Sequence, residues 1–117
     1  MSASTSISQG ASIAEFVDAT ITKNQVVIFS KSYCPYCKRT KALFAASFPE
    51  LEPEILELDE RDDGGPIQQY LAEKTGQRTV PNVFVATKHI GGNDDTHSAF
   101  KAGKLAKLLE AKATPNL

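Results

Sequence analysis

Hydrophobic positions along the chain alternate between the spacing of helices and the continuous runs of buried strands. The first helical segment would be capped by Ser12, would end near Asn24, and has apolar residues at Ile13, Phe16, Val17 and Ile21. The run Val26-Val27-Ile28-Phe29 follows and is rich in β-branched residues. Such a run is typical of a strand buried on both faces, so we predict a central strand here.

The rest of the chain continues this alternation. We predict a helix from about Pro35 to Pro49, a strand over 54–59, a helix from Pro66 to Gly76, and a hairpin formed by 82–86 and 88–90. A last helix is predicted to begin at Asp94-Asp95 and to direct four side chains inward, Phe100, Leu105, Leu108 and Leu109. The order α-β-α-β-α-β-β-α indicates an α/β fold. We expect a flexible lead over 1–11, a domain over 12–113 and a tail over 114–117.

Composition and charge argue against several classes of binding partner and location. The chain has 117 residues and a formal net charge of −1, whereas nucleic-acid and anionic-membrane binding require a cationic excess. We therefore expect neither partner. No apolar run approaches the ~18 residues of a membrane span. The segment from Met1 to Ala14 contains neither Arg nor a compact apolar stretch, so the expected location is cytoplasmic.

The chain contains two cysteines, Cys34 and Cys37, at the junction between the central strand and the next helix. A bridge that closes so small a loop removes little entropy from the unfolded chain. The pair is therefore expected to be redox-active or metal-binding. A zinc site needs four ligands, and besides the two cysteines the sequence offers the distant His89 and His97 as candidates. We assign neither histidine a catalytic role. The other alternative is that Cys34 and Cys37 are small core residues with no chemical role.

The two cysteines are expected to differ in reactivity. Cys34 precedes the helix, where backbone amides stabilise negative charge, and Pro35 suits the first helical position. Residues 31–41 include the cations Lys31, Lys38, Arg39 and Lys41 and no acid. The acidic residues of 50–63 are expected to form a solvated face. We predict that Cys34 is the thiolate nucleophile and that the more protected Cys37 is the resolving thiol.

Three motifs, in order, resemble those of dithiol glutaredoxins. They are Lys31-Ser32-Tyr33-Cys34-Pro35-Tyr36-Cys37, Thr79-Val80-Pro81-Asn82-Val83-Phe84 and Gly91-Gly92-Asn93-Asp94-Asp95. The similarity covers about residues 12–112. It implies a thioredoxin-like fold, in which a four-stranded mixed sheet is flanked by helices on both faces.

The resemblance also implies an activity, the glutathione-dependent reduction of disulfides. Protein–glutathione mixed disulfides would need Cys34 alone, whereas protein or small-molecule disulfides would also need Cys37. Glutathione would be the cosubstrate, no metal is expected, and glutathione reductase with NADPH would supply electrons indirectly. The partners would be glutathionylated or disulfide-containing proteins, and we expect a monomer.

Carried over by position, the resemblance implies a glutathione pocket around Cys34 and Tyr36. Lys31, Gln68 and Arg78 would hold the glycyl carboxylate. Thr79, Val80 and a cis Pro81 would lie along the cysteinyl part, with the Val80 backbone pairing as in a strand. Asp94 and Asp95 would bind the γ-glutamyl group through helix amides and a carboxylate.

A binding module is the alternative from another class. Some glutaredoxins bridge a [2Fe–2S] cluster between two subunits, with glutathione supplying the remaining thiolates. Pro35 and Tyr36 argue against this role, because cluster-binding members usually have Gly or Ser in the motif. A general reductase supplied by a flavin enzyme is disfavoured by the glutathione motifs.

Overall fold

The structure is a computed structural model that describes residues 9–113. Its elements, in chain order, are α1 (Gln9–Lys23), β1 (Val26–Ser30), α2 (Pro35–Ser47), β2 (Glu54–Glu57), a 3₁₀ turn (Leu58–Glu60), α3 (Gly64–Thr75), β3 (Asn82–Val85), β4 (Lys88–Gly91), α4 (Asn93–Lys101) and α5 (Lys104–Ala113).

The strands form one mixed sheet in the order β2-β1-β3-β4. Ile28 on β1 is opposite Ile55 in the parallel pair with β2 and opposite Val83 in the antiparallel pair with β3. β3 and β4 form the predicted hairpin, with a register shift between Val83 and Phe84. The predicted four-stranded thioredoxin-like sheet is confirmed.

Every residue of β1 is buried because helices cover both faces of the sheet. Val27 and Phe29 pack with α1 and α3, whose buried apolar residues are Ile13, Val17, Ile21, Ile67 and Leu71. Val26 and Ile28 pack on the opposite face with α2 and α5, through Phe44, Leu105 and Leu109. The continuous apolar run correctly predicted a central strand, since successive side chains of a strand point to opposite faces.

Several predicted boundaries differ from the structure. α1 begins at Gln9, so Ser12 lies inside the helix and is not its N-cap. β2 ends at Glu57 and residues 58–60 turn into the 3₁₀ segment, while α3 begins at Gly64, before Pro66. Residues 1–8 of the predicted lead and the predicted tail 114–117 lie outside the described residues.

The single last helix predicted from the sequence is wrong. The chain breaks between α4 and α5, where Gly103 has φ +79°, a left-handed conformation that a continuous helix does not contain. Phe100, predicted to point inward, is instead 37% exposed and contacts Phe48 edge-on. Leu105 and Leu109 of α5 reach the core as predicted.

Within residues 9–113, each helix is too short or too polar to cross a lipid bilayer.

Candidate active site

Cys34 caps the N-terminus of α2. Its backbone is extended, with φ −84° and ψ 119°, and its Sγ accepts a hydrogen bond of 3.3 Å from the backbone N–H of Cys37. The backbone N–H of Cys34 donates to Lys31 O at 3.0 Å, which holds the preceding loop. The predicted capping geometry is therefore present, and Pro35 begins the helix.

Cys37 is fully buried one turn into α2, whereas Cys34 is partly exposed, and both are free thiols. Burial raises the pKa of the Cys37 thiol to about 11, since the charged form loses its hydration, and the hydrogen bond with Cys34 acts in the same direction. Cys37 is thus a protected, weakly acidic thiol beside an accessible one.

The segment before β3 lies against Cys34. The Val80–Pro81 peptide bond is cis, as the resemblance implies, and Cys34 Sγ is 3.9 Å from Val80 O. Gln77 fixes this segment, because its Nε2 donates to Thr79 O at 3.0 Å and to Pro81 O at 2.9 Å.

An open groove of about 380 Å³ runs beside this segment. One wall consists of Tyr36, Thr79, Val80 and Pro81, and the other is the start of α4, from Gly92 to Asp95. The two walls approach closely, since a Cβ on Gly92 would lie 3.7 Å from Pro81 O. The structure therefore brings six predicted residues together beside Cys34: Tyr36, Thr79, Val80, Pro81, Asp94 and Asp95.

The α4 wall is held by two side-chain interactions. Asp95 Oδ2 accepts a hydrogen bond of 3.1 Å from the Gly92 N–H and so caps the helix. Asn93, which is buried, accepts a hydrogen bond of 2.9 Å from the Thr40 hydroxyl of α2. Asp94 is exposed on the groove, and the helix-capping carboxylate is that of Asp95.

Gln68 and Arg78 lie together in a second hollow of about 230 Å³, which Gly65 and Gln69 also line. Gln68 Nε2 donates to the backbone oxygen of Arg78 at 2.7 Å. Lys31 lines neither hollow and is close enough to Asp59 to affect its titration. The structure therefore does not bring Lys31 into the same set as Gln68 and Arg78.

The expectation that residues 50–63 form a solvated face is wrong for Glu57, which is partly buried, whereas Asp59 is exposed as expected. Glu57 is paired with Lys41 and accepts a hydrogen bond from Ser30. Asp59 accepts hydrogen bonds from the backbone N–H and the hydroxyl of Ser32, which hold the pKa of the Asp59 carboxyl below its usual range. Both acids follow the apolar residues of β2, and the parallel β1–β2 pairing places them beside the cysteine loop.

Sequence reasoning missed Gln77 and Asn93 as well as these two acids. Gln77 carries no signal in the pattern, because its partners are backbone oxygens that only the folded chain presents to it. Asn93 could have been suspected, since an amide directly before the Asp94-Asp95 pair is a common residue at a helix start.

Among the described residues, no group of three or more His, Cys, Asp and Glu could hold a metal ion. This does not bear on the cluster alternative, whose ligands would come from two subunits and from glutathione.

Comparison with known proteins gives a consistent set of similarities. Residues 26–90 match the family model described as Glutaredoxin. The chain is 52% identical over 107 residues to Glutaredoxin-C8 of Oryza sativa subsp. japonica, covering 92% of this chain and 79% of that protein. It is 55% identical over 98 residues to Glutaredoxin-C4 of Arabidopsis thaliana, covering 82% of this chain and 70% of that protein.

Solved structures agree with the sequence relatives. A buckwheat glutaredoxin–glutathione complex matches with a TM-score of 0.82 and 41% identity, over 88% of this chain and 92% of that one. The holo form of glutaredoxin C1 from Populus tremula x tremuloides matches with a TM-score of 0.82 and 36% identity, over 90% and 93% of the two chains.

Proposed function

The chain belongs to the glutaredoxin family of thiol-disulfide oxidoreductases, and we propose that it uses glutathione to reduce protein–glutathione mixed disulfides and protein or small-molecule disulfides. The observation that carries this proposal is the groove beside Cys34, with the Val80–Pro81 segment on one side and the N-terminus of α4 on the other. The similarity to a solved glutaredoxin–glutathione complex supports the same ligand.

The groove offers groups that complement the charges of glutathione. The γ-glutamyl carboxylate would meet the backbone amides at the start of α4, where negative charge is stabilised. The Asp94 carboxylate would take the ammonium group, since Asp95 caps the helix. The Val80 backbone would pair with the cysteinyl part, and Gln68 with Arg78 would extend the site toward the glycyl carboxylate.

With a protein–glutathione mixed disulfide, the Cys34 thiolate attacks the glutathione sulfur. The mixed disulfide breaks, a Cys34–glutathione disulfide forms, and the protein thiolate leaves and takes up a proton. A second glutathione thiolate then attacks the bound glutathione sulfur, which releases oxidised glutathione and restores Cys34. This cycle does not use Cys37.

With a protein disulfide, Cys34 attacks one sulfur and forms a mixed disulfide with the substrate. Cys37 then attacks Cys34 Sγ, which releases the reduced protein and leaves a Cys34–Cys37 disulfide. Two glutathione molecules reduce that disulfide. The 3.3 Å contact between Cys34 Sγ and the Cys37 N–H shows how closely the two residues are held.

The test is glutathione-dependent reduction of a glutathione mixed disulfide, followed by NADPH consumption through glutathione reductase. Wild type, Cys34→Ser and Cys37→Ser are compared on this substrate and on a protein disulfide. We expect Cys34→Ser to abolish both activities, and Cys37→Ser to keep the first and lose the second. Asp94→Asn is expected to raise the KM for glutathione.

An equal loss in both cysteine variants would reject the division of labour. An inactive wild type would reject the proposed function, and visible absorbance of the purified protein would then test the iron–sulfur alternative. The cytoplasmic location and the monomeric state remain predictions, which fractionation and sedimentation would check.

A further inference from the structure

The Gln77 side chain holds two backbone carbonyls of the segment beside Cys34. Its Nε2 donates to Thr79 O at 3.0 Å and to Pro81 O at 2.9 Å. An amide nitrogen carries two N–H donors, so each carbonyl receives one of them. β3 begins only at Asn82, and both carbonyls lie before it. The side chain therefore supplies hydrogen bonds at a point where the strand has not yet begun.

Gln77 is itself fixed at the end of α3. The helix is capped by Gly76, whose N–H donates to Ala72 O at 2.8 Å. The Gln77 N–H donates to Thr75 Oγ1 at 3.0 Å, and the Thr75 hydroxyl donates to Leu71 O at 2.8 Å. The Gln77 residue is half-buried. Its amide thus extends from a backbone that is already held in place, so less conformational entropy is lost when it binds the two carbonyls.

The Thr79–Val80 peptide connects the Gln77 contact to the ligand groove. This peptide bond is trans, since the cis bond of the segment is the next one. A trans peptide group is planar, and its N–H points opposite to its C=O. Because Thr79 O points to Gln77 Nε2, the Val80 N–H of the same peptide points away from Gln77. Val80 lines the groove, whereas Gln77 lines neither hollow.

The second carbonyl that Gln77 holds lies between the two walls of the groove. A Cβ on Gly92 would lie 3.7 Å from Pro81 O, so this oxygen faces the start of α4. Val80 O, on the residue before it, lies 3.9 Å from Cys34 Sγ. A rotation of either neighbouring peptide would therefore change the direction of the Val80 backbone groups relative to the reactive sulfur.

We propose that Gln77 is a positioning residue for glutathione: by holding the Thr79 and Pro81 carbonyls, its amide directs the Val80 N–H and C=O toward the cysteinyl part of the ligand beside Cys34. The inference rests on the proposed function, because it concerns recognition of the same ligand. Hydrogen bonds weaken steeply as their angle departs from linear, so a misdirected Val80 peptide would bind glutathione less well and leave the Cys34 thiolate itself unchanged.

The experiment isolates the first chemical step, in a Cys37→Ser background and without free glutathione. With a glutathionylated peptide, the Cys34 thiolate attacks the glutathione sulfur, the Cys34–glutathione disulfide forms and the peptide thiol is released. With the symmetrical disulfide of mercaptoethanol, a Cys34–mercaptoethanol disulfide forms and mercaptoethanol is released. Quenched-flow mass spectrometry measures both rate constants. The first substrate carries the groups that the Val80 backbone would bind, and the second lacks them.

Gln77→Met keeps the length and the neutral charge of the side chain and removes both N–H donors. We expect the reaction with the glutathionylated peptide to slow about tenfold, the effect of about one lost hydrogen bond, and the other rate to stay within about twofold. Gln25→Met is the matched control. Gln25 is also half-buried and directly precedes β1, whereas Cys34 follows the other end of that strand, so neither rate should change.

The comparison of substrates separates positioning from a structural role. An equal slowing of both reactions would mean that Gln77 supports only the fold or the reactivity of Cys34, and would overturn the proposal. Unchanged rates with both substrates would overturn it as well, as would the same selective loss in Gln25→Met. If the parent protein reacts no faster with the glutathionylated peptide than with the mercaptoethanol disulfide, the proposed function fails, and this inference fails with it.

Gln77→Glu is the second variant, because it keeps the shape of the side chain and its ionised form also lacks both donors. It is measured at about 1 M salt, where the Debye length of about 3 Å screens the added charge. The same selective loss is expected there, and this result decides the question if urea unfolding shows that Gln77→Met is not folded. A loss confined to low salt would assign the effect to charge and would contradict the proposal.

Discussion

Thr40 donates a hydrogen bond of 2.9 Å to the side-chain oxygen of Asn93, and both side chains are buried. Thr40 belongs to the helix that carries the two cysteines, and Asn93 is the first residue of the helix that forms the far wall of the groove. One buried hydrogen bond therefore fixes the wall of the ligand groove relative to the reactive thiol.

Thr40→Val should weaken both the fold and the site. Valine has a similar shape but leaves the Asn93 oxygen buried without its donor, which costs about 1–3 kcal/mol. Urea unfolding should show this loss, and the KM for glutathione should rise. Thr22→Val is the control, because the Thr22 hydroxyl bonds to Asp18 O at an exposed position, and it should change stability by less than ~0.5 kcal/mol. Equal effects of the two substitutions would contradict the prediction.

Gly91→Ala should disrupt the start of α4. Gly91 has φ +123°, and a Cβ there would lie 2.3 Å from Asp95 Oδ2, which caps the helix. Gly76→Ala is the control for backbone strain without a steric clash, since Gly76 has φ +82° and open space around its Cβ position. Gly76→Ala should cost about 1–2 kcal/mol, and Gly91→Ala should cost more. Thermal unfolding measures both, and the reverse order would show that Asp95 moves aside freely.

Asp59→Asn should make stability less sensitive to acid. Hydrogen bonds from Ser32 lower the pKa of Asp59 in the folded chain, so the folded state favours the ionised carboxylate. The resulting stabilisation is present above the ordinary value of about 3.9 and is lost as pH falls through the lower folded value. Urea midpoints measured from about pH 5 down to about pH 2 should therefore fall more steeply for wild type. Asp62→Asn removes the same charge from the adjacent loop, and the same reduction there would point to net charge as the cause.

Alkylation should distinguish the two cysteines. The pKa of about 11 leaves Cys37 almost entirely a thiol at neutral pH, and the side chain is fully buried. Iodoacetamide should therefore add one group to the native protein, at Cys34, and two groups to the protein unfolded in urea. Peptide mass spectrometry identifies the site. Modification of both cysteines at similar rates in the native state would show that Cys37 is accessible.

Much of the fold could be predicted from the pattern of apolar residues. The run 26–29 is apolar at every position, which a strand requires only when both faces are covered, and β1 is indeed central. The break before α5 is not predicted by this pattern, because Phe100 before Gly103 and Leu108 after it still lie at helical spacing.

The sequence by itself determined the local chemistry of this protein: a cysteine at a helix start, a second cysteine one turn further, a proline after Val80 and an acidic pair at the last helix region. These features depend on neighbours along the chain, so spacing and residue type suffice to predict them. Only the tertiary structure decided which distant groups meet them. Glu57 bonds to Ser30 and Thr40 bonds to Asn93 across 27 and 53 positions of the chain. Strand pairing and helix packing bring these side chains together, and neither contact can be predicted from the spacing of the residues in the sequence.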